Sequence, residues 1–120
     1  MQPTQAYIID ATRSAVTKAH KGGFSHMRPD DLLSTLIQQI IDQHAIDPML
    51  VDDVIVGCAV PEAEQGMNVA RLSALLAGLP NRVGGLTVNR LCASGLEAIA
   101  IAAAKIQTGQ AQVILAGGVE

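Results

Sequence analysis

The stretch Val83-Gly84-Gly85-Leu86-Thr87-Val88-Asn89-Arg90-Leu91-Cys92-Ala93-Ser94-Gly95-Leu96 leads from an apolar run into a small-residue segment across a single cysteine. The apolar, partly β-branched run over 83–89 predicts a strand. From Ala93 the residues become small and apolar, and the pattern predicts a helix over about 93–107, stopped by Thr108-Gly109. Val113-Ile114-Leu115-Ala116 predicts the next strand, ending in Gly117-Gly118-Val119-Glu120. Strand, helix and strand in this order are the parts of a right-handed parallel crossover.

The alternation extends upstream. Val54-Ile55-Val56-Gly57-Cys58-Ala59-Val60 is apolar on both faces and reads as an inner parallel strand. A polar loop over 61–66 leads to a helix over about 68–78, with Asn68 as its cap and Gly78, before Leu79-Pro80, as its stop. Asp30-Asp31 opens a helix over about 30–45, where either carboxylate suits the positive end. Leu33, Leu36, Ile37, Ile40, Ile41 and His44 share its apolar face. Tyr7-Ile8-Ile9 predicts a buried strand over about 5–10, followed by a long loop to Pro29 of the kind that tends to be functional or interfacial. The order is βαβαβαβ, an α/β class with a mainly parallel sheet.

At 120 residues the chain has room for one domain. A hydrophobic fraction of 49% excludes disorder, and an aromatic fraction of 2% leaves the core to Ala, Leu, Ile and Val. Eight Lys and Arg against eleven Asp and Glu give a net charge of −3 and exclude a strong nucleic-acid binder. Cys58 and Cys92 do not make a disulfide framework. Residues 1–5 lack the basic and apolar regions of a signal peptide, and no apolar run is long enough to span a bilayer. A cytoplasmic location is the expectation.

The helix over 93–107 is apolar nearly all round, with Glu97 and Lys105 as exceptions. Such a helix asks for cover on nearly every side. That expectation places a second layer, either a sheet or a subunit, outside these residues.

Cys92 sits where a parallel strand passes into a helix, the place where open α/β sheets bind ligands. The positive end of the helix favours a thiolate, the small neighbours Ala93, Ser94 and Gly95 leave room for a substrate, and the Cys92 amide is placed to meet an oxyanion. The residues alone leave a second reading open, in which Cys92 is a buried small hydrophobe.

Here the sequence resembles the thiolases, the acetyl-CoA acetyltransferase and 3-ketoacyl-CoA thiolase group. The stretch around Cys92 looks like their nucleophile motif. Ile8-Ile9-Asp10-Ala11-Thr12-Arg13-Ser14 is similar to their first strand and Thr-Arg turn, Arg28-Pro29-Asp30-Asp31-Leu32 to the start of their first long helix, and Asp53-Val54-Ile55-Val56-Gly57-Cys58-Ala59 to their second strand. Glu64-Gln65-Gly66-Met67-Asn68-Val69-Ala70-Arg71, Ala77-Gly78-Leu79-Pro80 and Ala116-Gly117-Gly118-Val119-Glu120 follow in order and spacing. The first of these looks closest to degradative 3-ketoacyl-CoA thiolases. Ala15 stands where many members have Pro, and Thr17 near a frequent Gly, differences that bear on turn stiffness.

The resemblance implies a thiolase fold, with residues 1–120 a partial N-terminal domain and so an incomplete unit. It implies Cys92 as the acyl-accepting nucleophile, its amide an oxyanion donor. The reaction would be cleavage of a 3-ketoacyl-CoA to acetyl-CoA and a shortened acyl-CoA, or the reverse condensation, as in fatty-acid β-oxidation. Coenzyme A would be a substrate, with no permanently bound cofactor and no metal. The full-length protein is expected to be a homo-oligomer, a dimer or tetramer. The family's activating His, its Asn-Glu segment, its second Cys and most CoA-binding loops lie later than Glu120, so the segment alone is expected to be inactive.

Other groups read as structural. Cys58 suits packing and shows no zinc-site spacing. His20, His26 and His44 lack a partner in sequence, although His44 suits a helix C-terminus. Glu62 and Glu64 form a solvated pair rather than an acid–base pair, and Glu97 is paired or water-facing. Asn68 and Arg71 either cap a helix or order a loop near a subunit interface. The Gly pairs match no nucleotide-binding pattern. Two alternatives remain, a ketoacyl-synthase-type condensing enzyme of the same fold and a non-catalytic α/β binding module.

Overall fold

The computed structural model describes Gln2 and residues 4–120. Among these, helices and strands alternate as α1 (Pro29–Gln43), β1 (Asp53–Gly57), α2 (Val69–Leu76), β2 (Gly84–Val88), α3 (Ser94–Gln107) and β3 (Ile114–Gly118), with short 3₁₀ turns at Pro48–Leu50 and Ala63–Gln65. Proline opens α1 where its missing N–H would have no helical partner. The predicted acidic start is built from an ion pair: the Arg28 guanidinium grips buried Asp30 through two 3.0 Å bonds, and Asp30 accepts the Asp31 N–H at 3.1 Å. The guanidinium holds the Asp30 carboxyl below its ordinary value.

The three strands are parallel in the order β2-β1-β3. Ile55 stands opposite Leu86 on one side and Ala116 on the other. β1 is buried along its whole length, as a strand covered on both faces must be. Its alternation sends Val54 and Val56, followed by Cys58, into one core with Leu33, Ile37 and Ile41 of α1 and Val69, Ala70 and Ala74 of α2. Ile55 goes the other way, against Ala98 and Ala102 of α3. Val54, Ile55 and Val56 are each at most 2% exposed, and each contributes about 1.5–3 kcal/mol by leaving water.

Charges fix the strand starts. Lys105, one exception on the apolar helix, reaches from the last turn of α3 to Asp53 at the head of β1. Asp52 accepts the Gln112 and Val113 N–H groups at 2.7 and 3.2 Å, which sets the entry to β3. These amides, with a weaker attraction from Arg82, hold the Asp52 carboxyl below its ordinary value.

One expectation needs correction. The strand over 5–10 does not form: Tyr7, Ile8 and Ile9 are 75–83% exposed, and the order of the described elements is αβαβαβ. β2 and β3 flank β1, and among the described residues the apolar run pairs with neither of their outer edges. It is tied to α1 by Asp10, which meets His44 Nε2 2.7 Å away. Within the described residues α3 is covered along one face. A stripe of Ser94, Ala98 and Ala102 is buried, while Leu96 is 72% and Ile99 43% exposed.

At the far end of β1 a Cβ on Gly57 would lie 2.2 Å from the Ser94 carbonyl carbon and 2.5 Å from the Gly95 nitrogen. Gly57→Ala must therefore push strand and helix backbones apart and is expected to destabilise the fold by about 3 kcal/mol. An unchanged urea midpoint contradicts the contact. For Asp52 the depressed carboxyl supplies stability in full above the unfolded pKa, about 3.9, and this stability is lost as pH falls through the lower folded value. Asp52→Asn is expected to melt below the parent at about pH 6, by a larger margin than at about pH 3. An equal gap at both pH values contradicts this.

Candidate active site

Parallel strands place their carboxyl ends on one side, and here those ends are tied together. The Cys58 N–H donates to the Val88 carbonyl at 3.0 Å, and the Val119 N–H to the Gly57 carbonyl at 3.0 Å. The Glu120 carboxylate accepts the Ala59 and Val60 N–H groups at 2.9 and 3.1 Å and the Gln65 side-chain amide at 3.1 Å. Asn89, just past β2, donates from its Nδ2 to the Ala59 carbonyl at 3.2 Å. Cys92 lies between these strand ends and the first turn of α3, and it is exposed.

The turn that presents Cys92 departs from ordinary backbone. Leu91 has a φ of 50°, in the left-handed region that branched and bulky side chains rarely enter. The Asn89 side-chain oxygen accepts the Leu91 N–H at 2.8 Å. The Ser94 hydroxyl donates to the Leu91 carbonyl at 2.6 Å and accepts the Arg90 N–H at 2.9 Å. Two backbone bonds, Ala93 N–H to Arg90 and Ser94 N–H to Leu91, both 3.1 Å, complete the turn. Arg90 pairs with Glu97 at 3.2 Å, so Glu97 is the paired acid expected.

Cys92 is thus not the buried hydrophobe that its residue type allowed. Cys58 is, at 0% exposure. Burial pushes the Cys58 thiol up, and the Glu120 charge adds to the shift. The other candidates fall out as structural. His20 and His26 are exposed, and His44 caps α1 and meets Asp10. Glu62 is exposed and Glu64 stands 3.8 Å from Arg28. Asn68 caps α2 by accepting the Arg71 N–H at 3.3 Å, and it crosses to β2 by donating to the Gly85 carbonyl at 2.9 Å. Arg71 donates to the Val83 and Asn81 carbonyls. Among the described residues no group of His, Cys, Asp and Glu gathers as a metal site, and no helix is long and apolar enough to cross a membrane.

Residue-level reading missed Asn89, Ser94 and Glu120 as builders of this site. Asn89 carried a signal, since Asn side chains often bond their own backbone two residues on. A hollow of about 420 Å³ lies elsewhere, at the amino ends of the strands between Met49, Asp52, Arg82 and Gln112. The arrangement at Cys92 presents a free thiol on an open surface beside a helix N-terminus.

Residues 6–120 match the family model described as "Thiolase, N-terminal domain". The chain is 43% identical over 120 residues to a 3-ketoacyl-CoA thiolase of Psychrobacter arcticus, all of this chain and 31% of that protein. It is 46% identical over 116 residues to a 3-ketoacyl-CoA thiolase of Bacillus subtilis, 97% of this chain and 30% of that one. The chain therefore spans less than a third of these curated relatives. Among solved structures it is similar to the Bacillus anthracis acetyl-CoA acetyltransferase, with a TM-score of 0.77 and 38% identity over 82% of this chain and 25% of that one.

The difference in exposure has a direct readout. In the folded protein, Cys92 is expected to react with Ellman's reagent at once and Cys58 only after denaturation. Cys92→Ser removes the fast phase. Fast labelling of Cys58 in the native protein contradicts the assignment.

Proposed function

The chain belongs to the thiolase family, and on that footing we propose that the protein is an acyltransferase acting through an acyl-cysteine at Cys92. The observation that carries the reading is an exposed cysteine at the carboxyl ends of a parallel sheet, directly before a helix N-terminus, inside the matched region. The substrate is a 3-ketoacyl-CoA. The Cys92 thiolate attacks its 3-keto carbon, and the resulting oxyanion is met by the Cys92 amide. Collapse of this adduct breaks the bond between carbons 2 and 3. The acyl group stays on sulfur, and the two-carbon fragment takes a proton and leaves as acetyl-CoA. A fresh CoA thiol loses its proton, attacks the acyl carbon and expels the Cys92 thiolate, giving the shortened acyl-CoA. The reverse sequence is the Claisen condensation.

Two-step transfer through a thioester needs no resident cofactor, because coenzyme A is itself a substrate. The bare outer face of α3 fits a full-length chain that covers it, and a homo-oligomer in the cytoplasm with a role in fatty-acid degradation is the consistent setting.

In the full-length protein, Cys92→Ser is expected to lower kcat by about 10³-fold or more. Quenching the parent during turnover of acetoacetyl-CoA is expected to leave an acetyl group on the Cys92 peptide by mass spectrometry. Turnover at the parent rate in Cys92→Ser, or an acyl group on another residue, overturns the reading.

A further inference from the structure

We propose that Ser94, assisted by Asn89, is a positioning residue for acyl transfer: its hydroxyl holds the Leu91 carbonyl and thereby aims the Cys92 N–H at the reacting oxygen. The inference rests on the reading of Cys92 as nucleophile and goes one step deeper into the same turn.

The argument begins with the peptide bond. The Leu91 carbonyl and the Cys92 N–H belong to one planar trans unit and point in opposite directions. Whatever fixes the carbonyl therefore fixes the N–H. Ser94 fixes it twice, by its hydroxyl at 2.6 Å and by its own N–H at 3.1 Å. The bonds that close the turn run through the Arg90 and Leu91 peptide groups and Ser94, and planarity turns the Cys92 N–H to the side opposite the Ser94 clamp.

The hydroxyl is also not spent on the helix. Serine at a helix start usually accepts an amide two or three residues ahead. Ser94 instead accepts the Arg90 N–H behind it at 2.9 Å, and α3 begins with no side-chain cap at Ala93. One donated and one accepted bond commit the hydroxyl to the turn. It is held there by burial, since Ser94 is 4% exposed and its backbone abuts Gly57.

The turn needs such a clamp. Leu91 is in the left-handed region yet 67% exposed, so core packing does not hold it in a conformation of this cost. Its N–H goes to the Asn89 side chain and its carbonyl to Ser94. Asn89 is itself anchored on the Ala59 carbonyl at 3.2 Å, so both ends of the strained residue are tied to rigid elements.

The test uses the full-length protein with acetoacetyl-CoA as the probe. An oxyanion donor acts on a carbonyl oxygen and does not assist displacement of iodide by sulfur. The two reactions of Cys92 therefore separate aim from general integrity. Ser94→Ala is expected to lower kcat by about 10- to 100-fold, with KM changed less than about threefold and the rate of Cys92 alkylation by iodoacetamide changed less than about twofold. Ser94→Thr, which keeps the hydroxyl, is expected to restore most of kcat. Asn89→Ala touches an exposed side chain and reads the same clamp even where Ser94→Ala does not fold, with a fall in kcat and unchanged alkylation expected. If kcat is unchanged in the folded variants, or if kcat and alkylation fall together, the clamp proposal is overturned. Full turnover by Cys92→Ser overturns instead the reading on which it rests.

Discussion

The contact between Gly57 and the first turn of α3 is the constraint from which the rest of the structure follows. Strand and helix backbones approach more closely there than any side chain permits, and glycine is the residue that allows it. The approach lays the Ala98 and Ala102 stripe on Ile55 and brings the start of α3 to the carboxyl ends of the strands. The other end of the helix is held differently, by Lys105 on Asp53. One end is set by the absence of a side chain and the other by opposite charge, so α3 is fixed along its length against a wholly buried strand.

Around that contact the loops are joined through a few peptide groups. The Ala59 N–H is taken by Glu120 after β3, and the Ala59 carbonyl by Asn89 after β2. A single peptide segment beyond β1 thus connects both neighbouring strands. The same Asn89 holds the Leu91 N–H, which links the strand ends to the turn that carries Cys92. The sulfur stands on a surface, but its backbone is as tied as a core element.

Much of this was legible in the sequence where the cause is local. The apolar run through Val54–Val56 and the one-faced spacing of Leu33, Ile37 and Ile41 specify a buried strand and an amphipathic helix without reference to distant residues. The junction at Cys92 was legible for the same reason, while the role proposed for it came through the thiolase resemblance. Tyr7-Ile8-Ile9 misled, because a β-forming run states a preference and not a partner. Glu120 reaches back about sixty residues to the Ala59 and Val60 amides, a link that no local pattern announces. The apolar outer face of α3 was plain in its composition, but what covers such a face is not written in the helix itself.

The left-handed Leu91 has a consequence for which sequences can carry this site. A positive φ penalises branching at Cβ far more than it penalises a change of polarity. Isoleucine and valine, the nearest relatives of leucine in hydropathy, are therefore poor replacements at position 91, whereas asparagine and glycine fit the backbone. The side chain is largely in solvent, so packing sets no strong demand there. Tolerance at this position is governed by the shape of the main chain beneath the residue, and the hydrophobic similarity by which substitutions are usually ranked would order it wrongly.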